Sequence, residues 1–169
     1  MKTAVEWTHI HLKGITTMSI SDLARQTGTY LGRFIIRGDI MDFEPAMTRS
    51  QYLAMGDLVY FMYVNDRLTK IGKAGGANGW YGRFNQYKRG REGDATNCRI
   101  MDVMEAIEQY HIEVYGISSP RREIEQVCPL TGETFAVMVE THRELERNLT
   151  NRYLDEEPAH DLPFCNQLN

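Results

Sequence analysis

The segment 58–90 limits the folds open to this chain more than any other part of the sequence. It begins with seven consecutive apolar or aromatic residues, Leu58–Val64, a run typical of a buried strand. Asn65-Asp66 then predicts a tight turn into a second short strand that ends at Ile71. Four glycines among residues 72–79 predict a loop, and a short amphipathic helix follows. This helix carries Trp80, Arg83, Phe84 and Tyr87.

Basic residues are concentrated in the same part of the chain. Between Arg67 and Arg91 there are seven Lys or Arg residues and no Asp or Glu, whereas the whole chain has 19 basic and 23 acidic residues. The segment therefore carries a charge of +7, and 12 basic residues face 23 acidic ones in the remainder. A basic patch with interleaved aromatic residues favours an anionic partner. The pI near 5.7 argues against a protein that coats nucleic acid indiscriminately.

The order and spacing of these features resemble the GIY-YIG nuclease superfamily. Leu58-Val59-Tyr60 corresponds to its first half-motif and Lys70-Ile71-Gly72 to its second, and the helix with Arg83 follows where that family keeps its arginine. Lys70 stands where the family more often has a tyrosine. This lysine and the short chain are similar to the small type II restriction endonucleases of the superfamily. The resemblance covers roughly residues 56–155.

The resemblance implies catalytic roles for several of these residues. Tyr60 would act as a general base or would orient the attacking water, and we expect the Lys70 ammonium to lower its pKa from about 10. Arg83 would bind two oxygens of the scissile phosphate through its planar guanidinium. Tyr87, one helical turn further on, would contact the phosphate or the water.

A late helix is expected to supply the metal ligand. Thr141 and Glu144 have the spacing of a capping box, which predicts a helix from Thr141 to about Leu154. Glu140, Glu144 and Glu146 compete for the role by sequence alone, and the family's placement of its glutamate favours Glu146. One carboxylate suffices for Mg²⁺, which keeps several waters and takes phosphate oxygens as further ligands. Mn²⁺ is expected to substitute.

Further basic residues are expected to bind DNA around the scissile phosphate. They would make the affinity for DNA depend on salt. These residues are Lys73, Lys88, Arg89 and Arg91.

The N-terminal segment 19–39 has two interpretations. Ser19 followed by Asp22 predicts a capped helix start, and Ala24 with Gly28 four residues later resembles the core of a helix-turn-helix with residues 30–37 as its second helix. The alternative is a helical hairpin that packs its apolar residues into the core. In the first interpretation, the DNA contacts would come from Arg25, Gln26, Thr29 and Arg33.

Together these patterns predict an α+β fold in one compact unit. We expect a small central antiparallel sheet of about three strands plus a hairpin, flanked by helices. Residues 1–55 would form an N-terminal helical extension, 56–157 a GIY-YIG-like nuclease core and 158–169 a C-terminal tail. A link is expected over 38–45, a helix over 96–110, a strand near Ile112 and a polar loop over 119–126. Thr131-Gly132 predicts a hairpin turn.

Composition fits a cytoplasmic protein without a membrane span. The chain is 42% hydrophobic and 25% charged, and no uncharged run approaches the ~18 residues of a membrane span. Its three cysteines are far apart, which favours reduced thiols over a zinc site. His9 and His11 lie two apart near the N-terminus, and solvated histidines are favoured there over a metal pair.

The expected function is a divalent-metal-dependent endonuclease that cleaves both strands of DNA at a specific site, as a homodimer on double-stranded DNA. Within this class, a phage or mobile-element nuclease and a repair nicking enzyme stay open. A non-enzymatic DNA-binding protein would use the basic aromatic helix alone. An enzyme acting on a small phosphorylated metabolite also fits a glycine-rich basic loop.

Overall fold

The computed structural model describes residues 18–156, which form an α+β fold. The strands are β1 (Thr29–Arg37), β2 (Ile40–Pro45), β3 (Leu58–Val64), β4 (Arg67–Ala74), β5 (His111–Ser118), β6 (Arg122–Val127) and β7 (Thr134–Val139). The helices are α1 (Ile20–Thr27), α2 (Arg49–Ala54), α3 (Gly79–Tyr87), α4 (Ala95–Ala106) and α5 (His142–Glu156). A short 3-10 turn follows α3 at Gly90–Glu92.

Five strands form one antiparallel sheet in the order β2-β1-β5-β3-β4, and β6 and β7 form a separate two-stranded sheet. All seven residues of β3 are buried, because helices cover both faces of the sheet. On one face, Tyr60 and Met62 pack with residues of α2, α3 and α4. On the other face, Phe61 and Tyr63 pack with residues of α1 and α5.

The β3–β4 hairpin confirms the turn predicted at Asn65-Asp66. Both residues have positive φ, 49° and 65°, the conformation that matches a two-residue hairpin turn to the twist of its strands. Leu58 lies opposite Ala74 and Tyr60 opposite Gly72, with a register shift after Met62. The two predicted half-motifs are therefore paired strands.

Most other predicted elements are also confirmed. Helix α4 begins one residue before the expected range 96–110 and ends inside it. Strand β5 contains the strand expected near Ile112, and α5 corresponds to the predicted late helix. Ser19 caps α1, since its hydroxyl accepts a hydrogen bond from the Asp22 amide. Gly132 lies in the turn between β6 and β7 and has φ +73°.

The helix-turn-helix prediction is wrong, and so is the alternative helical hairpin. Residues 30–37 belong to strand β1, which pairs with β5 and β2. Aromatic and β-branched residues such as Phe34 and Ile35 favour a strand there. Gly28 is instead required at the end of helix α1. Its amide donates a hydrogen bond to the Ala24 carbonyl, and an added Cβ would overlap that oxygen.

Two other segments have more strand than expected. Residues 40–45 of the predicted link form β2, at the edge of the sheet, and the predicted polar loop 119–126 becomes strand β6 from Arg122 onwards. The main sheet has five strands instead of about three, because residues 18–55 contribute both β1 and β2 to it. Both missed strands are short edge strands with mixed composition, for which period-two alternation is a weak signal.

Within residues 18–156, no helix is long and apolar enough to span a membrane. Cys98 and Cys128 are free thiols, as expected. The predictions for His9, His11, Cys165 and the tail 158–169 lie outside the described residues.

Gly32 offers a test of the β1 register. It has φ +130°, and an added Cβ would lie 2.8 Å from the Phe43 ring at a register shift between β1 and β5. Gly38 also has positive φ, +61°, but open space around it. We expect Gly38→Ala to cost about 1 kcal/mol of unfolding free energy from backbone strain, and Gly32→Ala about 2–4 kcal/mol from strain plus overpacking. Chemical denaturation measures both, and equal losses would contradict this packing of β1.

Candidate active site

Two buried tyrosines and one arginine form a hydrogen-bonded cluster where β3 meets α3. The Tyr60 and Tyr87 hydroxyl oxygens lie 2.6 Å apart. Arg83 Nε donates to the Tyr60 hydroxyl at 3.2 Å and Nη2 donates to the Tyr87 hydroxyl at 3.3 Å, while Nη1 donates to Gln86 at 2.8 Å. The structure thus brings together three of the predicted catalytic residues.

Local sequence explains how this cluster forms. Tyr60 lies opposite Gly72 in the hairpin, and its ring occupies the space that a Gly72 side chain would need. The ring also packs against Trp80 with centroids 4.8 Å apart. Arg83 and Tyr87 are four residues apart on α3 and share one helix face. The glycine of the second half-motif therefore makes room for the tyrosine of the first.

Electrostatics keep both tyrosines protonated at neutral pH. Burial raises the pKa of Tyr60, and the nearby Arg83 guanidinium only partly offsets this. Burial raises the pKa of Tyr87 well above its usual value in the same way. Burial lowers the pKa of Arg83, but the two tyrosines outweigh this and raise it overall, so the guanidinium stays charged.

The structure corrects the role expected of Lys70. The Met62–Lys70 pair lies two residues along the hairpin from the Tyr60–Gly72 pair, so Lys70 projects to the same face, and it is buried. Arg83 donates a hydrogen bond to the Tyr60 hydroxyl. The predicted lowering of the Tyr60 pKa is wrong, because the energetic cost of burying a phenolate exceeds the attraction of the nearby cation.

Glu146 lies beside this cluster and forms an ion pair with Lys73. Lys73 Nζ donates to Glu146 Oε2 at 2.7 Å, with the side chains 40% and 21% exposed. The Glu146 carboxylate also raises the pKa of Tyr60, as expected for a negative charge near the hydroxyl. Lys73, predicted to bind DNA, therefore neutralises the predicted metal ligand in this structure.

Other residues predicted to bind DNA make ion pairs elsewhere. Arg91 contacts Asp39, Asp102 and Glu105, so three carboxylates offset its charge. Arg25 binds Asp66 and Glu113, and its helix packs on the face of the sheet opposite Tyr60.

The remaining predicted DNA contacts have varied surroundings. Arg33 binds Glu44 at 2.6 Å, and Arg89 donates to the Glu92 carbonyl at 3.4 Å. Three others are exposed and lie outside the tyrosine cluster. These are Gln26, Thr29 and Lys88.

Sequence reasoning missed a polar junction under the glycine-rich loop. The buried Asp57 carboxylate accepts hydrogen bonds from the Gly76 amide at 3.0 Å and from Arg121 Nε at 2.9 Å. His142 is also buried, with Nδ1 3.7 Å from Asp57, and a Cβ at Gly75 would lie 2.8 Å from both side chains. The residues are far apart in sequence, so no local motif indicated them.

This junction connects the two halves of the site. The loop after β4 follows Lys73, and α5 begins at His142 and presents Glu146 one turn later. Since the loop and the helix start meet at Asp57, the junction fixes their separation. Beside it is a cavity of about 470 Å³, and its polar lining includes Lys73, Arg83, Gln86, Glu140, His142 and Arg143.

The donor groups near the tyrosine cluster can be compared with what different metal ions require. Among residues 18–156, no group of three or more His, Cys, Asp or Glu side chains is arranged to hold an ion. A zinc site is therefore not supported in that part of the chain, since zinc takes three or four protein ligands. The half-buried Glu146 fits the one-carboxylate mode that suits Mg²⁺.

Comparison with known proteins gives structural matches only. No protein-family model and no curated protein sequence matches the chain. A mutant of bacteriophage T4 EndoII is similar with a TM-score of 0.51 at 14% identity, over 83% of this chain and 96% of that one. Restriction endonuclease HPY188I, solved with product DNA, has a TM-score of 0.47 at 15% identity, over 92% and 94%. The chain therefore has a fold similar to that of T4 EndoII.

Asp57 gives a pH-dependent prediction. Burial would raise its pKa, but the hydrogen bonds from Arg121 and Gly76 lower it below its usual value. The stability that these bonds add is therefore present above pH about 4 and is lost as the pH falls through the lowered pKa of the folded state. We expect Asp57→Asn to cost roughly 1–3 kcal/mol at pH 7 and much less at pH 3, by chemical denaturation. If the loss of unfolding free energy in Asp57→Asn were larger at pH 3 than at pH 7, this role of the Asp57 carboxylate would be contradicted.

Proposed function

We propose that the chain is a Mg²⁺-dependent DNA endonuclease of the GIY-YIG type, and that it makes restriction-type double-strand breaks at a specific site. The observation that carries the proposal is the buried Tyr60–Arg83–Tyr87 cluster with Glu146 beside it. The fold similarity to EndoII, a phage endonuclease, supports it. Phosphodiester hydrolysis needs an oriented water, stabilisation of charge on the phosphate and help for the leaving oxygen, and this cluster has a group for each.

Arg83 would bind the scissile phosphate. It is permanently charged, half-buried and held by two phenol oxygens, so its guanidinium is oriented before substrate arrives. The cavity lined by Lys73, Arg83 and Arg143 gives a phosphate access to it.

Tyr60 would orient the attacking water as a neutral phenol. Arg83 donates to both hydroxyl oxygens, and one hydroxyl donates to the other, which leaves one phenol proton for a water or phosphate oxygen. Both tyrosines are almost fully buried, so substrate binding must open the cluster on its Arg83 side. Proton abstraction by Tyr60 would require a phenolate, which burial opposes more strongly than Arg83 and the hydrogen bond from Tyr87 favour it.

Glu146 would hold Mg²⁺, with Mn²⁺ as a substitute. The bound ion would supply positive charge to the phosphate and to the leaving oxygen. Lys73 occupies one oxygen of Glu146 and would release it or share it on metal binding. In the absence of metal, the ammonium offsets the charge of the carboxylate.

One observation favours a second candidate function. The cavity of about 470 Å³ has the size of a small-molecule site and a cationic lining, so a small phosphorylated metabolite is an alternative substrate. Competition separates the two. Mononucleotides at millimolar concentration should leave DNA binding unchanged if DNA is the substrate, and should abolish it if the cavity selects a small phosphate.

Glu146→Ala should remove cleavage and preserve DNA binding. We expect the cleavage rate on plasmid DNA to fall on the order of 100-fold or more, because the carboxylate proposed to bind the metal is lost. Glu144→Ala is the matched control, since this exposed carboxylate lies on the same helix and should leave the rate unchanged. Binding is measured by fluorescence anisotropy with labelled duplex. If Glu146→Ala cleaved DNA as fast as the wild type, Glu146 would not be the metal ligand.

A further inference from the structure

The hairpin of β6 and β7 exposes an unusual number of large apolar side chains. Its two strands pair with each other and not with the five-stranded sheet. Ile124, Phe135 and Met138 are 45%, 46% and 57% exposed, although each lies within a strand. A two-stranded hairpin is marginal alone in water, and a contiguous exposed apolar patch is typical of an interaction surface.

Four of the apolar residues lie on one face of the hairpin. Ile124 lies opposite Val137, and residues 126 and 122 lie opposite Phe135 and Val139. Directly opposed residues of an antiparallel pair project to the same face, so Ile124, Phe135, Val137 and Val139 share it.

The two edges of the hairpin differ in charge. The β6 edge carries Arg122, Glu123 and Glu125. Strand β7 has the sequence TFAVMV, with no charge and no proline. Charged residues, prolines or bulges usually protect exposed strand edges and prevent them from pairing with another chain. The β6 edge has this protection and the β7 edge lacks it.

The β7 edge is self-complementary. A two-fold axis normal to the sheet, midway between the Val137 residues of two copies, would place these two residues opposite each other and Phe135 of each copy opposite Val139 of the other. Aromatic and β-branched pairs stabilise neighbouring strands. If two copies of β6 paired in the same way, with their Ile124 residues opposite each other, Glu123 of each copy would lie opposite Glu125 of the other. Like charges that are directly opposed destabilise such a pair of strands.

We propose that β7 is a homodimer interface, at which two copies join their hairpins into one four-stranded antiparallel sheet. The apolar face of the hairpin then becomes continuous across the two-fold axis. DNA does not fit this surface, because residues 122–139 contain one basic and three acidic side chains. The proposal does not depend on nuclease activity, but a dimer would give one assembly two active sites, with which both DNA strands could be cut in a single binding event.

Light scattering after size exclusion tests the proposal. We expect the full chain to have the mass of a dimer and Val137→Lys to have the mass of one chain, because two ammonium groups would meet at the two-fold axis. The matched control is Glu125→Lys, which places a lysine on the charged edge of the same hairpin and should stay dimeric. A monomeric wild type, which would leave β7 unpartnered or covered by another part of the chain, overturns the proposal. So does a dimer that Val137→Lys does not disrupt.

A disulfide gives an independent measurement. Directly opposed residues of an antiparallel pair have Cα atoms about 4.5–5.5 Å apart, within the range that a disulfide spans. In a chain with Cys98, Cys128 and Cys165 replaced by Ser, Val137→Cys should form a covalent dimer on mild oxidation and Glu125→Cys should not. Crosslinking at residue 125 alone would overturn the assignment.

Cleavage assays separate this interface from the proposed activity. The monomeric Val137→Lys variant should nick plasmid DNA as fast per chain as wild type, while linear product falls at least tenfold relative to nicked product. If the wild type is a β7 dimer that does not cleave DNA, the interface stands and the nuclease proposal fails. If cleavage occurs and Val137→Lys stays dimeric, the nuclease proposal stands and the interface fails.

Discussion

The hydrogen bonds from Arg83 to Tyr60 and Tyr87 are the interaction on which the site and its surroundings depend. Two phenol hydroxyls in the core require partners, since burying a hydroxyl without one costs several kcal/mol. Each is the partner of the other, and Arg83 donates to both. This fixes α3 against β3, and Trp80 and Phe84 of the same helix then complete the core on that face. One cluster therefore contributes to both stability and the proposed chemistry.

The sequence predicted the elements in which local and tertiary signals agree. The run Leu58–Val64, the Asn65-Asp66 turn and the Arg83–Tyr87 spacing each indicate one structure, and the structure confirms them. Segment 30–37 follows a helix start and an Ala/Gly spacing that favour a helix, whereas its own aromatic and β-branched residues form strand β1. Edge strands such as β2 carry a weak alternation signal, so the sheet was underestimated.

The site could be predicted only in part for a related reason. Helix periodicity brings Arg83 and Tyr87 together, and the hairpin register brings Tyr60 to Gly72. The Lys73–Glu146 pair and the Asp57–His142 junction join positions more than seventy residues apart, and only the packing of α5 on β4 sets them. Likewise, the pKa of Tyr60 depends on burial that a sequence does not quantify, so the lowering expected from Lys70 is not the net result.

A net charge of −4 is compatible with a DNA-cleaving enzyme if the positive charge is local. Carboxylates offset the charges of Arg91, Arg25 and Arg33, whereas Arg83 and Arg143 line the cavity beside the tyrosine cluster.

The most direct test is the cleavage of supercoiled plasmid by wild type and by Arg83→Lys, with Mg²⁺ and with a chelator. Lysine keeps the charge of Arg83 but cannot bond both tyrosines and a phosphate from one planar group. We expect Mg²⁺-dependent strand breaks by wild type and a rate lower on the order of 100-fold for Arg83→Lys, with DNA affinity almost unchanged. Absence of cleavage by the wild type, or equal rates for the two proteins, would contradict a catalytic role for the Tyr60–Arg83–Tyr87 cluster.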